Sequence, residues 1–251
     1  MMIISVVNQK GGVGKTTTAI NLATALAACT GGVLVIDLDP QGNASTGLGI
    51  DLSNRDRNIY DIFHGSSAEE VIIKTAIPGL DIIPANIDLV AAEIEIIQVA
   101  QRESILKSAL SLAQAKYKWI IIDCPPSLGL LTINALTAST KVLIPMQCEF
   151  YSLEGLSHLL KTIELVTKKL NPSLEILGIL LTMYDKRNRL TEHIEQDVRS
   201  CMKHLVFNTV IPRNVRISEA PSHGMPVMLY DHKCLGSVSY MHLAKEILGN
   251  I

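Results

Sequence analysis

Short apolar runs alternate with stretches of helical period along the whole chain. Seven runs read as strands: Ile3–Val7, Val33–Asp37, Leu80–Pro84, Trp119–Asp123, Lys141–Pro145, Leu174–Thr182 and Thr209–Ile211. Between them, apolar residues recurring at three- and four-residue intervals predict helices over Lys15–Ala28, Asp88–Val99, Glu103–Lys116, Leu128–Ala138, Ser152–Leu170, Thr191–His204 and Ser237–Leu248. Strands that alternate with helices imply an α/β fold, a mostly parallel twisted sheet with helices on both faces. Ligand sites in such a sheet lie at the carboxyl ends of the strands. Residues 44–79 break the pattern. They are polar and interrupted by Gly47, Gly49, Gly65 and Gly79, so loops and short helices over the site are expected, with Tyr60–Phe63 a short helix packing on the body. No chemistry beyond a possible interface is read there. No repeat or long linker divides the chain, and residues 1–251 are expected to form a single domain.

The strongest local signal follows the first strand. Gln9-Lys10-Gly11-Gly12-Val13-Gly14-Lys15-Thr16-Thr17 separates that strand from a helix opening with Ala19, Ile20, Leu22 and Ala23. Strand, glycine turn and helix is the context a phosphate-binding loop requires. Glycines let backbone N–H groups wrap an anion, and the helix start adds unpaired N–H groups and a dipole. Gly11, Gly12, Val13, Gly14, Lys15, Thr16 and Thr17 are therefore candidate nucleotide-binding residues. Lys15 would reach the β- and γ-phosphates, and Thr16 would ligate Mg²⁺. The usual spacing puts glycine at position 9, where this chain has Gln9 followed by Lys10. With that second lysine the segment resembles the deviant Walker A box of the ParA/MinD group of P-loop ATPases. The resemblance implies ATP as the nucleotide. It also implies that Lys10 crosses a nucleotide-sandwich homodimer to the partner's phosphates, a role that spacing alone does not assign.

Two further strand ends carry acids. The second ends in Asp37-Leu38-Asp39-Pro40-Gln41-Gly42-Asn43, where Pro40 and Gly42 force a loop. Alone, this is an acidic turn as readily as a site. Beside the phosphate loop it resembles the switch region of ParA-type ATPases. By that likeness Asp39 orients the attacking water, and Asp37 lies near the metal. Trp119-Ile120-Ile121-Ile122-Asp123 reads as a Walker B strand whose terminal Asp123 holds Mg²⁺. Asp123-Cys124-Pro125-Pro126-Ser127 again matches the family. Pro145-Met146-Gln147-Cys148-Glu149 resembles a segment at the family's dimer face, and Tyr151-Ser152 opens the next helix with Ser152 as a candidate N-cap. That helix puts Leu156, Leu159, Leu160, Ile163 and Val166 on a core face.

The last third carries the base and DNA candidates. Ile211-Pro212-Arg213-Asn214-Val215-Arg216-Ile217-Ser218-Glu219-Ala220-Pro221 closely resembles the small chromosomal ParA (Soj) proteins. The resemblance implies that Pro212 and Asn214 border the adenine, with Met183 at the end of the preceding strand. Lys186, Arg187, Arg189, Arg213 and Arg216 form two basic clusters. Scattered arginines are ordinarily a solvated surface. The family instead implies non-specific contacts to double-stranded DNA, with Arg187 and Arg216 favoured, because cationic side chains bind backbone phosphates without reading sequence.

Composition limits the alternatives. Net charge is −2, so any DNA contact must come from a local patch. Five cysteines without a C-x-x-C pair fit a reducing cytoplasm. Cys124 and Cys148 each follow a strand and raise an iron–sulfur alternative, but cysteine is also a common small buried residue. No apolar run reaches the ~18 residues of a membrane span. The chain also stops before a basic amphipathic tail of the MinD kind, so no membrane partner is expected. It begins directly at a strand, so the helix-turn-helix domain of larger plasmid ParA proteins is not expected. The expected function is a cytoplasmic, nucleoid-associated ATPase that segregates a chromosome or plasmid. Its ATP-bound dimer would hold DNA until a ParB-type centromere-binding protein stimulates hydrolysis. A MinD-like or other cargo-positioning ATPase is the alternative.

Overall fold

The computed structural model describes residues 1–113, 116–149 and 152–249. Its centre is a sheet of β1 (Met2–Val6), β2 (Val33–Asp37), β3 (Ile73–Lys74), β4 (Leu80–Ile83), β5 (Trp119–Asp123), β6 (Lys141–Gln147) and β7 (Glu175–Thr182), in the order β3-β4-β2-β5-β1-β6-β7. All neighbours are parallel except β3, which runs antiparallel to β4 at the edge. The helices are α1 (Lys15–Thr30), α2 (Asn43–Gly47), α3 (Ile59–Phe63), α4 (Ala68–Val71), α5 (Leu89–Glu95), α6 (Ile105–Ala113), α7 (Leu130–Ala138), α8 (Ser152–Lys169), α9 (Arg189–Met202), α10 (Val215–Glu219), α11 (Val227–Tyr230) and α12 (Leu235–Gly249).

The strands are apolar at consecutive positions because both faces of the sheet are covered. Ile3, Leu34, Ile36, Ile120 and Ile122 point into one core with residues of α5 to α9. Ile4, Val33, Val35 and Ile121 point into the other with α1 and α12. α1 lies under the middle of the sheet and is buried from Thr18 to Ala27, which explains its apolar residues on every side. Leu156, Leu159, Ile163 and Val166 of α8 are buried as expected, with Leu160 partly so.

Some boundaries differ from expectation. The helix read as Asp88–Val99 is α5 followed by a 3₁₀ turn over Ile96–Gln98. The one read as Glu103–Lys116 is a 3₁₀ turn at Arg102–Ser104 leading into α6, and part of its expected end lies outside the described residues. β3 was not foreseen. It has two residues at a half-exposed edge, too few to show a pattern. Thr209–Ile211 is not a strand. Its segment runs beside β7 in isolated bridges, Ile179 to Val206 and Tyr184 to Pro212. The backbone N–H groups of Asn208 and Thr209 donate instead to the Glu246 carboxylate, and Pro212 has no N–H to give. Ser152 is not the cap of α8 but its first residue, and its Oγ is buried without a partner among the described residues. Tyr151, expected just before it, lies outside them, as do Asn250 and Ile251.

Candidate nucleotide site

The parallel topology brings the ends of β1, β2 and β5 together. The register sets Val6 and Asp37 each beside Asp123. The chain leaves β1 through Asn8, whose side-chain amide donates to the Pro145 carbonyl at 2.7 Å and whose Oδ1 accepts from the Lys10 N–H. Gly12 and Gly14 have φ of 75° and 85°, the left-handed region that glycine enters without strain. Around Gly11 and Gly12 a side chain would meet open space, so the backbone of the loop is open to an incoming group. Gly14 then delivers the chain into α1, whose first N–H groups lack helical acceptors. Two side chains pin the loop from below. The Thr182 hydroxyl donates to the Val13 carbonyl at 2.8 Å, and the Gln147 amide donates to the Gly12 carbonyl at 3.0 Å.

The two lysines of the loop diverge. Lys15 is buried, and its Nζ donates to the Lys10 carbonyl at 3.2 Å. Burial lowers its pKa, opposed chiefly by the charge of Asp123. Lys10 points outward and pairs with Glu149, both side chains remaining about half exposed.

The acids are dissimilar although adjacent. Asp37 uses both oxygens internally. Oδ2 accepts from the Ser45 N–H at 2.8 Å and the Ser45 hydroxyl at 2.7 Å, and Oδ1 accepts from the Asp39 N–H at 3.2 Å. Asp39 accepts from the Gln41 N–H at 3.0 Å, fixing the turn. Asp123 is fully buried, and both its carboxylate oxygens lack a partner among the described residues. Burial first, and the nearby Asp37 charge second, push its pKa well up. Burial likewise raises that of Asp37. Two unpartnered hard oxygens at a strand end beside the Thr16 hydroxyl at the start of α1 are donors of the kind Mg²⁺ takes, and by the chemistry of these donors the residues fit that ion.

Beyond Gly14 lies a cavity of about 340 Å³ lined by Thr17, Thr182, Met183, Pro212, Arg213 and Asn214. The three residues expected around the base thus converge. Met183 holds φ at 49°, an uncommon conformation for a residue with a side chain, and Asn214 caps α10 by accepting from the Arg216 N–H. A second cavity of about 270 Å³ shares Thr17, Ile217 and Pro221 with it and opens toward Asn43 and Thr46 of α2.

Among the DNA candidates, Arg213 lines the same 340 Å³ cavity, and its N–H donates to the Tyr184 carbonyl, so it lies beside the loop that carries Arg187. Arg187 is exposed and paired with Asp185 at 2.9 Å. Arg189 is exposed at the start of α9. Arg216 sits apart, paired with Glu219 at 2.8 Å and near Asp231 at 3.6 Å. Cys124 and Cys148 are buried in the core, and burial raises both thiols, Cys148 to about 11. Sequence reasoning missed Arg55, which is buried behind the Asp37–Asn43 loop. An arginine in a polar segment carries no local signal of burial.

A backbone cradle for an anion faces an uncommitted carboxylate here, with a buried lysine between them. That arrangement suits the holding and splitting of a nucleoside triphosphate's phosphates with a divalent cation. Fold and site together define a P-loop nucleotide hydrolase. Comparison narrows the class. A family model described as an AAA domain matches residues 1–176. The chain is 54% identical over 251 residues to the chromosome partitioning protein ParA of Caulobacter vibrioides, covering 99% of this chain and 94% of that one. It is 53% identical to the sporulation initiation inhibitor protein Soj of Bacillus subtilis, covering 99% and 98%. Among solved structures, cobyrinic acid a,c-diamide synthase from Mycobacterium smegmatis with bound ATP analogue and magnesium superposes with a TM-score of 0.87 at 36% identity, covering 99% and 94%. The chain belongs to the ParA/Soj family of chromosome partitioning ATPases. No helix among the described residues is long and apolar enough to cross a membrane.

Proposed function

We propose that this ATPase works as a nucleotide-gated dimer that holds DNA without sequence preference and lets go when a ParB-type centromere-binding protein stimulates hydrolysis, so segregating a chromosome or plasmid from the cytoplasm. The observation that carries the proposal is the direction of Lys10. It belongs to the phosphate loop, yet its charge stands at the surface on Glu149, within reach of a second chain. An exposed apolar stripe supports the same interface. Ile87, Val90, Ile94 and Ile97 follow one face of α5 and its flanks and are each at least half exposed, and Glu93 of that helix accepts from the Leu131 N–H just past the Asp123–Ser127 loop. A partner seated there would cover an unusual amount of apolar surface.

In this scheme the loop N–H groups and Lys15 hold the β- and γ-phosphates of ATP, and Met183, Pro212 and Asn214 enclose the base. Thr16 and Asp123 hold Mg²⁺, with Asp37 nearby. The ion, when bound, draws charge from the phosphate oxygens. Asp39 orients the water for in-line attack. Lys15, with Lys10 from the partner, offsets charge that develops at the γ-phosphate. Arg187, Arg189, Arg213 and Arg216 face DNA. Two of them trade an internal carboxylate for a backbone phosphate, and the resulting binding falls steeply with salt.

The test is DNA binding by an Asp39→Ala variant at fixed moderate salt. Binding to unrelated duplexes with ATP–Mg²⁺ but not with ADP–Mg²⁺ is expected. Binding in neither state, or equal binding in both, would remove the gated clamp.

A further inference from the structure

Arg55 lies outside every motif and is 3% exposed. All five of its N–H donors are used. Nε and one Nη2 hydrogen go to the Ile50 carbonyl at 3.1 and 2.6 Å. Nη1 goes to the carbonyls of Gly42 and Ala85, both at 3.2 Å, and Nη2 also to the Thr46 hydroxyl at 2.9 Å. A planar fork can serve four acceptors at once, three along residues 42–50 and one at Ala85; an ammonium has three donors at one point.

These acceptors surround the loop that carries Asp39. The Gly42 N–H donates to the Asp39 carbonyl at 2.9 Å, and the Gly42 carbonyl accepts from Arg55 and from the Thr46 hydroxyl. Ala85 is held on both sides. Its carbonyl takes the guanidinium, while its N–H donates to Ser45 Oγ, which in turn donates to Asp37. One residue, Ala85, therefore joins the arginine to the acid cluster. The fit is close, since Gly42 has φ of 63° and a Cβ there would fall on the guanidinium. Asn58 anchors the arginine in turn, its side chain donating to the Arg55 carbonyl at 2.9 Å and its Oδ1 capping α3. The phosphate loop does not share these bonds.

We infer that Arg55 is a positioning residue for ATP hydrolysis: through Gly42 and Ala85 it fixes the loop that sets Asp39 against the γ-phosphate. This rests on the proposed role of Asp39. The structure separates it from nucleotide binding, because the cradle is held by Thr182, Gln147 and Asn8 instead.

The experiment measures kcat and KM for ATP hydrolysis, the Kd of a fluorescent ADP and the circular dichroism melt for Arg55→Met, Arg55→Lys and, as reference, Asp39→Ala. In Arg55→Met, kcat falls roughly ten- to a hundredfold, as expected of a displaced reacting group, while the ADP Kd stays within about threefold because the cradle is intact. Arg55→Lys, which keeps the charge but not the fork, shows the same split to a smaller degree. If Arg55→Met does not fold, Arg55→Lys alone decides. A folded Arg55→Met with parental kcat overturns the inference. So does a parallel loss of kcat and ADP affinity, the mark of a merely structural arginine, and so does parental kcat in Arg55→Lys should that variant have to decide. If Asp39→Ala hydrolyses at the parental rate, the role of Asp39 fails and the inference with it. Asp39→Ala inactive beside a normal Arg55→Met removes the inference alone.

Discussion

Replacing Asp123 by asparagine should make the metal-free protein more stable while removing its activity. Both Asp123 oxygens are fully buried with no partner among the described residues, and Asp37 stands beside them in the strand register. A buried carboxylate whose charge is only partly offset, here by Lys15 and Thr16, carries an effective penalty of several kcal/mol. An asparagine amide in its place leaves uncharged polar atoms unpaired, at about 1–3 kcal/mol. The net gain is about 2 kcal/mol at pH 8, and a chain of this size converts that into a rise in Tm of roughly 4–8 °C. The pH dependence follows from the raised folded-state pKa. A carboxyl with raised pKa supports the fold fully below its unfolded value, about 4, and that support is lost as pH rises through the folded value. Wild type therefore weakens from acid toward alkaline pH, and the variant, uncharged throughout, is spared this. The assay is a melt of both proteins in EDTA from pH 5 to pH 8, repeated with ATP and Mg²⁺. The advantage of Asp123→Asn should grow with pH in EDTA, and Mg²⁺ with ATP should reverse the order by stabilising wild type alone. A variant that melts below wild type at pH 8 in EDTA, or an advantage independent of pH, would refute the reasoning.

Lys15→Ala should abolish measurable ATP hydrolysis and weaken nucleotide binding at least tenfold, because the buried ammonium is the charge set across the loop from Asp123; normal turnover in a steady-state phosphate-release assay would show that the loop is not the site. Gly178→Ala in β7 should lower stability by about 1–3 kcal/mol, since the added Cβ would land on the Phe207 ring and 3.0 Å from the Leu205 carbonyl; an unchanged midpoint in urea denaturation would count against the rigid packing of that segment on the sheet.

What was legible in the chain depended on how local its cause is. The five longest strands declare themselves because burial on both faces leaves them apolar at consecutive positions. β3 has two residues and no pattern to read. Thr209–Ile211 has the right composition but not the right partner, since a carboxylate 37 residues away takes the Thr209 N–H that a strand would give. The α3 cap was readable in principle, as Asn58 and Asp61 stand at capping-box spacing and make both bonds. Asp37, Asp39, Asp123 and the loop Lys10–Thr17 were found because each motif lies within a few residues of itself. The groups that fix those motifs in place were not found. Thr182 holds Val13 across 169 positions and Gln147 holds Gly12 across 135, pairings that only the folded sheet creates.

The division between motif and support also accounts for the polarity of the site. The fold sets Asp37 and Asp123 at the ends of adjacent strands, where burial opposes their charge, and places beside them one lysine that burial also discourages from charging. Asp37 is relieved by three hydrogen bonds from its own loop, and Arg55 lies behind that loop in the field of the same acid. Asp123 has less: only the neighbouring Thr16 and Lys15 favour its charge, and burial outweighs them. Lys15 offsets its charge only in part, so a cation carried in with a polyphosphate would add positive charge at the acid while the polyphosphate adds negative charge at the loop, in one step. That carboxylate is thus expected to make cation and nucleotide bind together rather than singly. Titrating Mg²⁺ affinity with and without nucleotide in wild type and in Asp123→Asn would measure that coupling directly.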